Sequence, residues 1–216
     1  MKIKTNSNKV NKAWLNEHVN DTYVKLAQKE GYRARAAYKL QELDQTFRLV
    51  KQGMTVVDLG SAPGAWSQYL RRTLGAASMG GSGYQVIALD MLPMEAIEGV
   101  RFIQGDFREQ EVLAQLENAL NGKKAGLVVS DMAPNLSGLS DTDAARVALL
   151  VELAVDFSVK HLIKGGHLVV KVFHGGAYDE CVKLLKRHFK QVKAIKPKAS
   201  RSKSTETFLV GLGLTD

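Results

Sequence analysis

Two glycines and three aspartates have the types and spacing to form one binding site. The run VVDLGSAPGAW, residues 56–66, passes from a β-branched segment through an acid into Gly60 and Gly64 and is closed by Trp66. Glycine at such positions lets a backbone approach a ligand with no Cβ in the way. Asp90 ends QVIALD, Asp106 lies in QGDF beside Phe107, and Asp131 follows GLVVS. The glycine loop has one glycine fewer than GxGxxG, and no GxxxxGK[ST] occurs, so neither phosphate-cradling pattern is met. Carboxylates around such a loop would repel a pyrophosphate. They suit a ligand with positive charge and hydroxyl groups.

The elements that must position these residues alternate. The stretches MTVVDLG, QVIALD, VRFIQGD, GLVVSDM and GHLVVKVF are near-continuously apolar and end in polar groups, as buried parallel strands do. Helical patterns are expected over 21–47, 66–74, 109–120, 141–163 and 177–188, the fourth carrying the stripe Val147, Leu150, Val151, Ala154, Val155. Gly165-Gly166 is expected to end that helix before the next strand. Two last strand-like runs, QVKAIKP and TETFLVGLG, are joined by KASRSKS, too short for a crossover, so they should form an antiparallel hairpin at the sheet edge. The expectation is an α/β, doubly wound, Rossmann-like sheet, mostly parallel, with a C-terminal antiparallel hairpin. That is the architecture of S-adenosylmethionine-dependent methyltransferases. In such sheets ligands sit beyond the carboxyl ends of the strands, where the three aspartates fall.

Composition narrows the class. The chain has 216 residues, 45% hydrophobic and 24% charged, with 30 Lys and Arg against 22 Asp and Glu, a formal charge of +8. Those values suit one soluble domain over residues 21–216, preceded by a basic, flexible segment over 1–20. The excess of cations favours a polyanionic partner. Cys181 is alone, which excludes an intrachain disulfide and a cysteine metal cluster, and the five histidines show no ligand spacing, so no metal is expected. VALLVELAVDFSVKHLI carries Glu152, Asp156 and Lys160, which argues against a membrane span, and MKIKTNSNKVNKAW has no apolar core for a secretory signal. A cytoplasmic location follows.

S-adenosylmethionine fits the carboxylates: it carries a sulfonium, an amino group and ribose hydroxyls. Asp90 is placed to accept the ribose hydroxyls and Asp106 the adenine amino group, with Phe107 against the ring. Gly60 and Gly64 admit the amino-acid end, and Trp66 walls the pocket.

RARAAYKL, DLGSAPGAW, SDMAPNLSG, VVKVF and SRSKSTETFLV occur in that order. Together they resemble the FtsJ/RrmJ (RlmE) family of bacterial ribosomal RNA large-subunit 2'-O-methyltransferases, from about Thr22 to Gly211. Ser61 and Ala65 stand where many members have Ala and Gly. The resemblance implies a catalytic tetrad of Lys39, Asp131, Lys171 and Glu206 around the reacting hydroxyl. It also implies a substrate: a uridine in the A-loop of 23S rRNA, within the large ribosomal subunit or a late precursor.

The chemistry suits these residue types. A ribose hydroxyl is a poor nucleophile that must lose its proton to a base about 3 Å away. Lys171 interrupts an apolar strand, a poor place for an idle charge. It could be that base, or it could steer the hydroxyl and stabilise developing charge, with Asp131 orienting it and Glu206 holding Lys39 or the ribose. Lys25, Lys29, Arg33 and Arg35, with Lys196, Lys198, Arg201 and Lys203 in the hairpin loop, are candidates for an RNA-binding rim. The need for a 2'-hydroxyl excludes DNA as acceptor. A relative acting on tRNA or an mRNA cap, or a non-catalytic RNA-binding assembly factor, is the competing reading.

Overall fold

The structure, a computed structural model, describes residues 21–75, 85–134 and 140–215. The basic segment 1–20 and most of the Gly/Ser-rich insertion after Leu74 lie outside the described residues.

The first helix, α1 (Thr22–Glu30), starts where the Asp21 side chain accepts from the N–H groups of Tyr23 and Val24. It ends at Gly31, whose φ of 70° suits glycine, with the Tyr32 N–H closing back on the Ala27 carbonyl at 2.8 Å. The helix expected over 21–47 is therefore two: α2 resumes at Ala37 and runs to Phe47. Apolar periodicity continues across the break because both helices bury one face, and only the glycine marks it.

Then follow β1 (Val56–Leu59), α3 (Ala65–Leu74), β2 (Val86–Asp90), β3 (Val100–Gln104), α4 (Gln110–Leu120) and β4 (Ala125–Ser130). The chain continues through α5 (Ser140–His161), β5 (Leu162–Phe173), α6 (Tyr178–His188), β6 (Phe189–Ile195) and β7 (Glu206–Leu214). The seven strands lie in the order β3-β2-β1-β4-β5-β7-β6. Strands β1 to β5 pair in parallel, while β7 is antiparallel to both β5 and β6. The expected doubly wound sheet with its closing hairpin is present. Gly165 and Gly166 do not separate α5 from the strand, however. Helix gives way to strand at Leu162, and both glycines lie within β5, where the pairing with β4 shifts register. Gly166 is needed there, since a Cβ would meet the Ile163 carbonyl oxygen at 2.9 Å.

Helices cover both faces. One face packs α4, α5 and α6 through Leu116, Val151, Ala154 and Leu185. The other packs α2 and α3 through Leu40, Leu43, Trp66 and Leu70. Strand order reverses between β1 and β4, which opens a crevice beyond their carboxyl ends.

Candidate active site

A cavity of about 600 Å³ fills that crevice, with Gly60, Asp90, Asp106, Phe107, Asp131 and Met132 in its wall. Gly60 has φ 75°, and a Cβ there would lie 2.8 Å from the Met132 backbone nitrogen, so only glycine lets the loops after β1 and β4 meet. Asp90 bridges two loops. One carboxylate oxygen accepts from the Ala62 N–H and the other from the Leu92 N–H, each at 2.8 Å. Each oxygen keeps further acceptor capacity for a ligand hydroxyl. Asp106 is gripped by the Arg108 guanidinium at 2.6–3.0 Å. Those hydrogen bonds outweigh burial and hold its carboxyl below the usual range. Phe107 reaches the cavity wall from the core, where its ring meets Phe157 edge-on at 5.7 Å.

Two expected cofactor residues act elsewhere. The Trp66 ring is 2% exposed, packs 5.6 Å from Phe208, and donates from Nε1 to the Ala36 carbonyl at 2.7 Å. Its indole thus ties the glycine loop to the start of α2 and is absent from the cavity wall. Gly64 is absent from it too. A Cβ at Gly64 would lie 2.8 Å from Arg33 Nη1 and Met94 Sδ, so the glycine makes room for neighbouring protein.

The four tetrad candidates come together from four elements. Lys171 Nζ donates to the Asp131 backbone carbonyl at 2.6 Å and lies 3.0 Å from its Oδ1. That second contact is an ion pair, and Oδ1 has no hydrogen-bond partner. The Lys171 side chain is 9% exposed and Asp131 21%, so the pair lies at the lip of the crevice. Lys39, on α2, pairs with Glu206 at 2.7 Å. Register joins the two pairs: Lys171 faces Phe208 across β5 and β7, Glu206 lies two residues before Phe208, and the Lys39 ammonium sits 5.7 Å from the Phe208 ring. Burial alone would push Glu206 up, but the charge and hydrogen bond of Lys39, with Lys171 nearby, hold its carboxyl below the ordinary range. Asp131 belongs to both sets, lining the cavity and holding Lys171.

Asp58 did not stand out from its local sequence as a site residue. It is fully buried and accepts from Ser67 Oγ at 2.6 Å through Oδ2, while Oδ1 has no hydrogen-bond partner. Burial pushes its carboxyl up to about 7, against the pull of Ser67, with the charges of Asp131 and Asp90 adding to the rise. An acid inside a β-branched run was the one available signal.

The cationic candidates divide. Lys25, Lys29, Lys198 and Lys203 are exposed, and Arg201 is half-buried. Arg33 is a clasp: its guanidinium donates to the carbonyls of Pro63, Glu95 and Ala96 at 2.8–3.0 Å, tying the glycine loop to the loop after β2. Arg35 pairs with Asp21 and donates to the Ala199 carbonyl at 2.5 Å. The Lys196 ammonium donates to the carbonyls of Ser202 and Ser204, closing the hairpin loop. These three hold the structure around the site. Their charge is real, but their donors are engaged within the protein.

The model of the FtsJ-like methyltransferase family matches residues 32–214. The chain belongs to this family. It is 67% identical to the ribosomal RNA large subunit methyltransferase E of Delftia acidovorans, over 99% of this chain and 100% of that protein. Against the protein of the same name in Methylibium petroleiphilum it is 62% identical, over 99% of each. Among solved structures, a putative ribosomal RNA methyltransferase of Plasmodium falciparum superposes with a TM-score of 0.72 at 28% identity, covering 85% of this chain and 98% of that one. Fibrillarin of Aeropyrum pernix, solved with S-adenosyl-L-methionine bound, shares the fold, with a TM-score of 0.56 at 15% identity and coverage of 82% and 73%. The protein is thus a methyltransferase that uses S-adenosylmethionine. The donor set fits that cofactor, because carboxylates at Asp90, Asp106 and Asp131 ring a cavity that a cation rich in hydroxyls can enter.

Proposed function

We propose that the protein methylates the 2'-hydroxyl of a ribose in large-subunit ribosomal RNA, a uridine of the A-loop, in the cytoplasm and on the large subunit or a late precursor. The observation that carries this reading is the bridge at Asp131, whose carboxylate lines the cofactor cavity while its ion pair and carbonyl hold Lys171. A methyl donor and an acceptor hydroxyl placed on either side of that residue would be adjacent.

When bound, the cofactor supplies a methyl group on a sulfonium, whose sulfur keeps the bonding electrons as the ribose oxygen takes the carbon. The chain's residues supply position and proton handling. Asp90 and Asp106 hold the ribose hydroxyls and the adenine amino group, and Gly60 admits the backbone close to the ligand. Lys171, fixed by two contacts to Asp131, meets the acceptor hydroxyl, either as an ammonium that steers the oxygen and stabilises its developing negative charge or, once it has given up its own proton, as the base. Glu206 neutralises Lys39 and holds it beside the acceptor ribose. The exposed ammonium groups of Lys25, Lys29, Lys198 and Lys203, with Arg201, contact phosphates around the site. DNA lacks the acceptor oxygen. No described helix is long and apolar enough to cross a membrane.

The names of the two relatives support ribosomal RNA over other RNAs. The test is transfer of labelled methyl to whole large subunits, deproteinised ribosomal RNA and transfer RNA, with the modified position mapped. Incorporation at one A-loop uridine is expected. Label confined to transfer RNA would move the substrate, and no label in any RNA would refute the reading.

A further inference from the structure

Charge is distributed unevenly along this chain. Residues 181–205 hold nine Lys and Arg and no Asp or Glu, so the rest of the chain has 21 cations against 22 acids. This one stretch carries the whole positive excess. It runs from α6 through β6 into the hairpin loop.

The fold lays it out as a band. β6 is the outermost strand and runs in the same direction as β5, since β7 is antiparallel to both. Lys171, Phe208 and Ile195 share one row across β5, β7 and β6. The end of β6 is therefore about 10 Å from the Lys171 row position at usual strand spacing, and Lys190 lies about 17 Å further down the edge. Lys190 and Lys193 are exposed along that strand, and Lys183, Lys186 and Arg187 are exposed on α6 behind it.

Two ordinary causes explain parts of the band. Lysines on an edge strand discourage pairing with other chains, and cations in the last turn of a helix suit its dipole. Neither requires that acids be absent over the last turns of the helix, the strand and the loop together, as they are after Glu180. A surface built only for solubility would mix both signs.

We propose that the outer edge of the sheet, β6 with the exposed face of the last turns of α6, is a second track for the RNA backbone. It takes a segment flanking the target nucleotide and continues the rim at Lys198 and Lys203 down the side of the molecule. The proposal rests on RNA being the methyl acceptor. A track of this length explains how an enzyme that modifies one ribose gains affinity for a large RNA: several phosphates are neutralised far from the chemistry.

The test compares a long large-subunit RNA fragment with a short hairpin holding only the target loop. Lys190→Glu/Lys193→Glu and Lys186→Glu/Arg187→Glu are measured against Lys123→Glu/Lys124→Glu, a pair with the same charge change elsewhere on the surface. Lys190→Gln/Lys193→Gln repeats the edge measurement without charge reversal, and calorimetry with cofactor confirms that each variant is folded. The track variants should lose tenfold or more in affinity for the long RNA, with a log-log salt slope lower by about 0.7 to 0.9 per lost contact. KM for the long RNA should rise, and affinity for the short hairpin should stay as in the control pair. Affinity and slope on the long RNA equal to the control pair would overturn the track, as would a wild-type protein that binds no RNA. If the track variants lose affinity while wild type methylates no RNA, the edge still binds RNA, but the methyl-transfer reading falls and the track's place beside a target nucleotide falls with it.

Discussion

The two halves of the sheet meet opposite ligands with opposite charge. On the β1–β4 side, carboxylates crowd the strand ends: Asp58 beneath, Asp90 and Asp106 in the wall, Asp131 at the boundary. On the β5–β7–β6 side stand Lys171, Lys39 and the lysines of the hairpin loop. The acids are fixed by backbone N–H groups, an arginine or a serine, so the half that takes a small cation is rigid and partly buried. The cations of the rim are exposed, as suits a partner that is large, flexible and held mainly through phosphates. What separates the halves is a single residue, Asp131. Methyl transfer needs both ligands at once, and a shared carboxylate is an economical way to register one against the other.

The sharpest break in this comparison is Lys171→Ala. It should lower single-turnover methyl transfer by about 10²–10⁴-fold while cofactor affinity holds, the range for removing a proton-transfer group. Lys171→Arg keeps the cation but cannot give up its proton in a protein. If Lys171 is the base, the arginine variant is as inactive as alanine; measurable turnover would make it a steering charge instead.

Asp90→Asn acts on the other half. It keeps one acceptor oxygen but loses the charge that strengthens hydrogen bonds from the ribose hydroxyls, at about 1.5–3 kcal/mol for such bonds. Calorimetry should show cofactor affinity falling roughly tenfold to a hundredfold, with RNA affinity unchanged.

A third pair of variants asks whether positive charge alone defines the RNA half. Lys198→Ala/Lys203→Ala should reduce the log-log salt slope of RNA binding by about 0.7 to 0.9 per lysine. Arg33→Ala removes the same charge as either single change, yet it unties Pro63 from Glu95 and Ala96. It should weaken cofactor binding severalfold and leave the slope alone. The reverse outcome would return Arg33 to the rim.

The remaining effect is on stability. Asp58 has its folded pKa raised to about 7, above the usual value of about 3.9. Its contribution is therefore full below about pH 4 and is lost as pH rises through 7. Thermal melts from pH 5 to 8 should show wild type losing Tm relative to Asp58→Asn as pH rises. Parallel curves would show that Asp58 does not titrate in that window.

Much of this architecture is legible in the residues. Each buried strand is an apolar run, and the short KASRSKS link forces a hairpin, because these are local patterns with one geometric solution. The residues whose partners were not legible share a cause. Trp66 and Arg33 have types that suit a ligand, but an indole needs only one carbonyl and an apolar neighbour, and here Ala36 and Phe208 provide them. Arg33 counts as a surface charge until the fold brings three carbonyls to it from residues 30 to 63 positions away. The Lys39–Glu206 pair joins residues from opposite ends of the chain, and no spacing announces it. Only the family motifs pointed there.

Strand β7, which begins with Glu206, is the last of the seven to be synthesised, yet it lies between β5 and β6. Until it inserts, β5 has an open edge, β6 has no neighbour in the sheet, and Lys39 lacks its carboxylate. A chain still emerging from the ribosome already holds the acidic half, in which β1 to β4 pair among themselves. It cannot assemble the acceptor half. The order of synthesis thus acts as a timer: the Lys39–Glu206 pair forms only after translation has passed Glu206.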